Sequence, residues 1–264
     1  MTAKIIPTTP DTRPLVLLCN DDGYDAPGLR HVINTLRPIA RLMVVAPSGP
    51  RSGKACSITT EVPFTNRLVE HESGVTIMAC TGTPVDCVKL ALDHLMLDEP
   101  PVLVVSGINH GSNASINAHY SGTVGACIEA AIKGVPAIAF SHLSHSWRTD
   151  FAPTSRYILH LVQHVLAHPL PKGSLLNVNF PEGDTYVGLR VCRMANSQWR
   201  NEVEPASRPG SHSQYYWLGG AQVDLEPNST DTDLHALREG YVSVVPLTLD
   251  MTHYDLLTTL PTML

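Results

Sequence analysis

No Cys-x-x-Cys pair occurs in this chain of 264 residues, and its six cysteines (Cys19, Cys56, Cys80, Cys87, Cys127, Cys192) are scattered, mostly inside apolar runs. That excludes a thiolate zinc site and a disulfide frame, and reads as small buried hydrophobes in a reducing compartment. Runs of Lys or Arg are also missing, and the formal net charge is −6. A nonspecific binder of nucleic-acid duplexes or of membrane surfaces is therefore excluded, because either would need a basic patch. No apolar stretch approaches the length of a bilayer span. Residues 1–13 are polar and contain proline, without the apolar centre of a secretory signal. We expect a short N-terminal tail on a cytoplasmic protein. There is no internal repeat and no low-complexity tract. What is present is a 43% hydrophobic content, enough to bury one large core.

The patterning alternates short apolar runs with helical spacing. Strands are expected at 15–19, 42–46, 76–79, 102–105, 137–140 and 175–178, and helices at 27–37, 84–97, 124–133 and 153–167. Strand then helix, repeated, predicts a mainly parallel sheet covered on both faces: an α/β fold with a three-layer, Rossmann-like core. After Pro181 the rhythm breaks. Residues 182–240 are rich in Gly, Pro, Ser and Asn, with Tyr215-Tyr216-Trp217 among them, and a last strand is expected at 241–246. We therefore expect one domain over 14–264, with a core at about 14–181 and an extension at about 182–264. The aromatic trio would either stack on a flat ring of a ligand or serve as a hydrophobic anchor in a subunit interface.

Four loops carry candidate chemistry. Asn20-Asp21-Asp22-Gly23 follows the first strand and precedes a helix, which puts two adjacent carboxylates at the carboxyl end of a strand, where α/β proteins bind ligands. Side by side, Asp21 and Asp22 repel unless a cation neutralises them. We read a divalent-metal site here, the plainer alternative being a solvated turn. The loop from Ala46 to Lys54 offers hydroxyls at Ser48 and Ser52, and Ser57 follows, all acceptable to a hard cation. Asn109 and Asn113, between glycines that permit close backbone approach, bring amide oxygens for Mg²⁺ or Mn²⁺ and amide NH₂ groups for phosphate. His110 has no second histidine at ligand spacing and reads as structural or exposed. Ser121-Gly122-Thr123 before a helix supplies an N-cap and free backbone N–H groups, an anion cradle, without the Gly-Lys-Ser/Thr of a Walker loop. Oxygen ligands beside an anion cradle point to metal-assisted phosphate chemistry.

These strings occur in the order of a known family. Asn20-Asp21-Asp22-Gly23, Val45-Ala46-Pro47 with Arg51-Ser52-Gly53, Gly82-Thr83-Pro84-Val85-Asp86, Ser106-Gly107-Ile108-Asn109, Tyr120-Ser121-Gly122-Thr123-Val124, Leu176-Asn177-Val178-Asn179 and Thr232-Asp233 with Glu239-Gly240-Tyr241 together resemble the SurE survival-protein family of metal-dependent 5′/3′-nucleotidases. The likeness covers nearly the whole chain beyond the first dozen residues. It implies hydrolysis of nucleoside 5′- or 3′-monophosphates with one Mg²⁺ or Mn²⁺ per subunit, held by Asp21, Asp22, Ser52 and Asn109. It also implies a homodimer or homotetramer built through the C-terminal extension. Asp21 and Asp22 would be the catalytic pair, with Asn109, Asn113, Ser121, Gly122 and Thr123 on the phosphate. One Asp would accept a proton from water or attack phosphorus directly. The residues alone leave open a transferase on the same cradle, or a non-catalytic nucleotide sensor. Three places depart from the family pattern: Ser115-Ile116-Asn117 stands where relatives often carry Gly-Asp-Asp, Lys54-Ala55-Cys56 replaces smaller or more polar residues, and Tyr254 takes the place of a tail histidine.

Overall fold

The structure, a computed structural model, describes residues 11–260 except 73 and 212. Most of the expected N-terminal tail thus lies outside the described residues. Thirteen strands and six α-helices follow one another among them. The central sheet has nine strands in the order β3-β4-β2-β1-β5-β6-β7-β13-β8. Those are β1 Leu15–Cys19, β2 Arg41–Pro47, β3 Asn66–Glu72, β4 Val75–Cys80, β5 Leu103–His110, β6 Ala137–His142, β7 Ser174–Phe180, β8 Leu189–Val191 and β13 Val242–Thr248. From β4 to β7 every neighbouring pair is parallel, while β3 and β13 join antiparallel to β4 and β7.

Alternation along β1 builds the three layers. Val16 and Leu18 face a core shared with α1 (Pro27–Leu36) and α4 (Ser155–Ala167). Leu17 and Cys19 face the opposite core, which holds Cys87 and Val88 of α2 (Pro84–Leu90) and Val124, Cys127 and Ala130 of α3 (Gly122–Ile132). The chain moves outward from β1 through β2 to β4, then returns to the other side of β1 as β5. Strand order therefore reverses between β1 and β5, which opens the crevice where such folds take ligands.

Several expected boundaries shift. The strand expected at 102–105 continues to His110, so the asparagine segment is strand rather than loop. Its cause is Gly107, at φ +118°, where a Cβ would sit 2.1 Å from the Phe140 carbonyl oxygen. The register with β6 slips between Ser106 and Asn109, and pairing then resumes. The helix expected to 97 is α-helical only to Leu90 and closes as a π-turn over Ala91–Leu95, just before Pro100 and Pro101. Helix α3 begins two residues early because Ser121 caps it, its Oγ accepting the Val124 N–H at 3.1 Å. Cys56 is exposed, unlike the other five cysteines.

Past Pro181 the chain forms two antiparallel ribbons. One pairs β9 (Ser197–Arg200) with β12 (Ala221–Asp224), the other β10 (Val203–Ala206) with β11 (Tyr215–Leu218). Both precede α5 (Asp233–Arg238) and the return of β13 to the sheet; the short helix α6 (Tyr254–Thr259) follows. Trp217 and Leu218 on the second ribbon are 72% and 86% exposed, a degree unusual for large apolar side chains.

Candidate active site

The sheet brings the turn after β1 against the end of β5. Register pairs Cys19 with Ser106, so the next few residues of each strand run side by side at the crevice. Gly28, at the start of α1, lets this happen: a Cβ there would lie 2.1 Å from the Ile108 carbonyl oxygen. Asn20 closes the turn, its Nδ2 donating to the Gly23 carbonyl at 2.8 Å. Asp21 and Asp22 are then almost fully buried, 3% and 7% exposed.

The two carboxylates have different partners. Asp21 accepts from the Thr123 hydroxyl at 2.5 Å and from the Gly122 backbone. Gly122 is the residue that allows this approach, since a Cβ on it would sit 2.9 Å from the Asp21 Cβ. Burial, helped by the neighbouring Asp22 charge, lifts the Asp21 carboxyl to about 6 against the pull of the Thr123 bond. Asp22 accepts twice at Oδ2 from one residue, from the His110 backbone N–H and from His110 Nδ1, both at 3.0 Å. No lysine or arginine pairs with either carboxylate among the described residues.

The other expected residues fall into two groups. Asn109 is on β5 beside Asp22, 8% exposed, and donates its Nδ2 to the Gly111 carbonyl at 2.7 Å. Its side-chain oxygen has no donor among the described residues. Ser52 is exposed on the loop after β2, and that loop is tied to the site because Arg51 N–H donates to the Asp21 carbonyl at 2.7 Å. The same loop touches the start of α3: Ala55 N–H donates to the Tyr120 carbonyl at 3.1 Å, and a Cβ on Gly125 would meet the Ala55 oxygen at 2.2 Å. The Thr123 hydroxyl donates to Asp21, whereas Ser121 Oγ accepts from the Val124 N–H in the cap and keeps its own O–H uncommitted among the described residues. Asn113 sits in a separate buried network, its N–H on Asn179 Oδ1, its Nδ2 on Ser141 and its carbonyl on Asn177. No hydrogen bond ties it to the aspartate turn among the described residues. Asn117 is held between the Trp199 indole and Gln222, in contact with the first ribbon.

The donor set suits a hard divalent cation. Two buried carboxylates share a turn without a cationic side chain, an amide oxygen beside them is unclaimed, and every candidate ligand atom is oxygen. Uncompensated, such a pair would be costly to bury.

His110 is the residue that sequence reasoning set aside. Its ring stacks on Trp147 at 4.9 Å between centroids and meets the edge of Phe151 at 5.2 Å. A signal existed in the sequence, since His110 directly follows Asn109, yet only the order and register of the strands place it on Asp22.

Comparison with known proteins identifies the family. The model of the survival protein SurE family matches residues 16–201. The 5′-nucleotidase SurE of Phocaeicola vulgatus is 44% identical over 245 residues, covering 93% of this chain and 95% of that protein. Its counterpart in Bacteroides thetaiotaomicron is 44% identical over 242 residues, covering 92% and 93%. The crystal structure of the SurE protein from Aquifex aeolicus superposes with a TM-score of 0.79 at 33% identity, covering 95% of this chain and 99% of that one. The chain belongs to the SurE survival-protein family.

Proposed function

We propose that the protein is a metal-dependent nucleotidase that hydrolyses nucleoside 5′-monophosphates, and 3′-monophosphates as a second class, to nucleoside and phosphate. The observation that carries this reading is the buried Asp21–Asp22 pair at the strand-order reversal, without a cationic side chain and beside the start of α3. The names of the 5′-nucleotidase relatives supply the reaction class. Asp21, Asp22, Asn109 and Ser52 would hold one Mg²⁺ or Mn²⁺. A cation there supplies charge neutralisation at a phosphoryl oxygen and a lowered pKa for bound water.

The chain's own residues divide the remaining work. Thr123 fixes Asp21 and His110 fixes Asp22, so neither carboxylate has to reorganise as charge develops on phosphate. The Thr123 hydroxyl is engaged with Asp21, but Ser121 Oγ only accepts from Val124, so its own O–H stays free to donate to substrate phosphate at a helix start whose dipole favours an anion. One of the aspartates takes the proton from the attacking water as the P–O bond to the nucleoside breaks, or attacks phosphorus itself with the nucleoside oxygen leaving, after which water hydrolyses the acyl-phosphate. In both cases the nucleoside oxygen leaves as a protonated alcohol. The exposed β10–β11 ribbon and α6, with Trp217, Leu218 and Leu257, are the surfaces we assign to contact between subunits of a homo-oligomer.

The test is release of inorganic phosphate from a panel of nucleoside 5′- and 3′-monophosphates, with Mn²⁺, with Mg²⁺ and with chelator. Release from 5′-monophosphates that chelator abolishes and Mn²⁺ restores supports the reading. Release that is indifferent to chelator overturns the metal assignment. Phosphate transfer seen only with an added acceptor alcohol overturns hydrolysis.

A further inference from the structure

One buried polar side chain beside the site makes its side-chain hydrogen bond to a candidate ligand and leaves its other ring nitrogen unpartnered. The His110 side chain is 3% exposed. Its Nδ1 lies 3.0 Å from Asp22 Oδ2, and its own backbone N–H reaches the same oxygen at 3.0 Å. A carboxylate oxygen only accepts, so Nδ1 is the nitrogen that carries the proton. Nε2 is buried without a hydrogen-bond partner among the described residues. Burying an unsatisfied nitrogen is unfavourable. A ring needed only for packing between Trp147 and Phe151 would be better made as phenylalanine.

We propose that His110 is a positioning residue of the cation site: with two donors on Oδ2 it holds the Asp22 carboxylate in one orientation and leaves Oδ1 for the metal. The inference rests on the metal-site reading above. Its physical basis is the general dependence of a ligand on the groups that orient it. Oδ2 has its two lone-pair directions filled by the backbone and the ring, so rotation of the carboxylate breaks both bonds together. Trp147 and Phe151 stop the ring from turning away, since one stacks on its face and the other meets it edge-on. The device also bears on which cation binds. Ca²⁺ takes carboxylates in bidentate fashion and tolerates irregular shells, whereas Mg²⁺ demands a compact octahedral shell. An Asp22 confined to one free oxygen disfavours the larger ion.

The experiment is calorimetric titration of the metal-free full-length chain with Mn²⁺ and separately with Ca²⁺, without nucleotide. Wild type is compared with His110→Phe, His110→Asn and His110→Gln. Phenylalanine keeps the ring and removes the donor. Asparagine places an amide N–H where Nδ1 was, and glutamine carries the same amide one bond too far. We expect Mn²⁺ affinity to fall about 10–100-fold in the phenylalanine and glutamine variants, with most of it recovered in the asparagine variant. The preference for Mn²⁺ over Ca²⁺ should narrow where the donor is lost. Melting curves identify variants that fold; if phenylalanine does not, the glutamine–asparagine pair decides alone. Wild-type Mn²⁺ affinity in a folded phenylalanine or glutamine variant overturns the role of His110. Asparagine as weak as glutamine overturns it too, because ring packing and not the donor would then matter. Failure of wild type itself to bind Mn²⁺ is a different result, which overturns the metal site.

Discussion

Two parts of this molecule bury carboxylates, and they treat them in opposite ways. Asp233 at the start of α5 is fully buried, and its donors are all backbone: Ser115 N–H at 2.7 Å, Ala195 N–H at 3.0 Å and Leu234 N–H at 2.8 Å. Those three groups come from the turn after β5, the segment between β8 and β9, and the helix itself. Asp233 thereby pins the extension to the core. Asp21 and Asp22 are buried nearly as deeply and also accept from backbone groups, of Gly122 and His110, but each has a side-chain donor as well, a hydroxyl or an imidazole, and a like charge beside it. Burial does not separate a structural carboxylate from a working one. The adjacent like charge does, because two repelling carboxylates call for a cation, whereas a carboxylate held by three backbone N–H groups is already satisfied.

The sharpest way to break this contrast is to remove charge at each place. Asp22→Asn keeps an oxygen to accept from His110, so the fold should lose little and the melting temperature should hold steady or rise. Activity should drop by about a thousandfold, equivalent to roughly 4 kcal/mol of transition-state stabilisation. Asp21→Asn should behave in the same way, its amide oxygen still accepting from Thr123. Near-normal phosphate release with Mn²⁺ from a purified Asp22→Asn protein would sink the assignment.

Asp233→Ala should do the reverse. Three buried donors lose their acceptor at about 1–3 kcal/mol each, so a loss of about 3–9 kcal/mol is expected, which is at least roughly 10 °C in melting temperature. Mn²⁺ affinity measured on the folded fraction should be unchanged. A lowered Mn²⁺ affinity with an unchanged melting point would mean that the two carboxylate sites had been assigned the wrong way round.

Gly28→Ala tests the joint between the regions. The new methyl would press on the Ile108 carbonyl and so on the segment carrying Asn109 and His110. Overpacking of this kind costs about 1–3 kcal/mol, and here it should also weaken Mn²⁺ binding, unlike Asp233→Ala. Urea melts beside Mn²⁺ titration would show both effects, and stability loss with untouched metal affinity would argue that β5 does not position the site.

The contrast also shows what was legible in the chain before folding. The Asp21-Asp22 turn could be read because its strand, its proline and its helix face are all local signals, and the layered α/β core follows from that same rhythm. Strand order could not be read that way. Nothing near His110 in sequence says that β5 lies beside β1, so its two bonds to Asp22 had no local trace. Thr123 was legible as part of an N-terminal loop, while its service to Asp21 depends on α3 packing against the aspartate turn. Continuation of β5 past Val105 was hidden for a different reason: Gly107 interrupts the apolar run, and only its close approach to Phe140 lets the strand resume. The place of Asp233 was equally hidden, since its donors at Ser115 and Ala195 are far from it in sequence.

The smallest expected effect concerns pH, where Asp233 again stands apart, this time from the half-buried His31 and the buried His142. Burial holds His31 below the ordinary histidine value of 6.5, with Asp150 opposing. Its Nε2 is engaged with the Ser155 hydroxyl at 3.0 Å. Burial likewise lowers His142, against Glu182 and with help from His110, and its Nδ1 accepts the Ser144 N–H at 3.0 Å, which requires a free lone pair there. Below neutral pH the unfolded chain therefore takes up protons that the folded chain resists. Stability rises with pH wherever the unfolded state binds more protons, so these two histidines should lower the melting temperature as pH falls from neutral through 6.5. Asp233 has the opposite sign, because burial raises its carboxyl above the ordinary 3.8. The folded chain then binds the extra proton, and this contribution is lost as pH rises through the raised value. Asp21, lifted to about 6, opposes the histidines in metal-free protein, so the shallow rise in melting temperature between about pH 5.5 and 7.5 is expected on an Asp21→Asn background. His31→Gln should flatten part of that rise, while Asp233→Asn should lower the whole curve without flattening it. A melting temperature that instead fell towards neutral pH, and recovered on Asp233→Asn, would show the carboxylate to dominate and the histidine argument to fail.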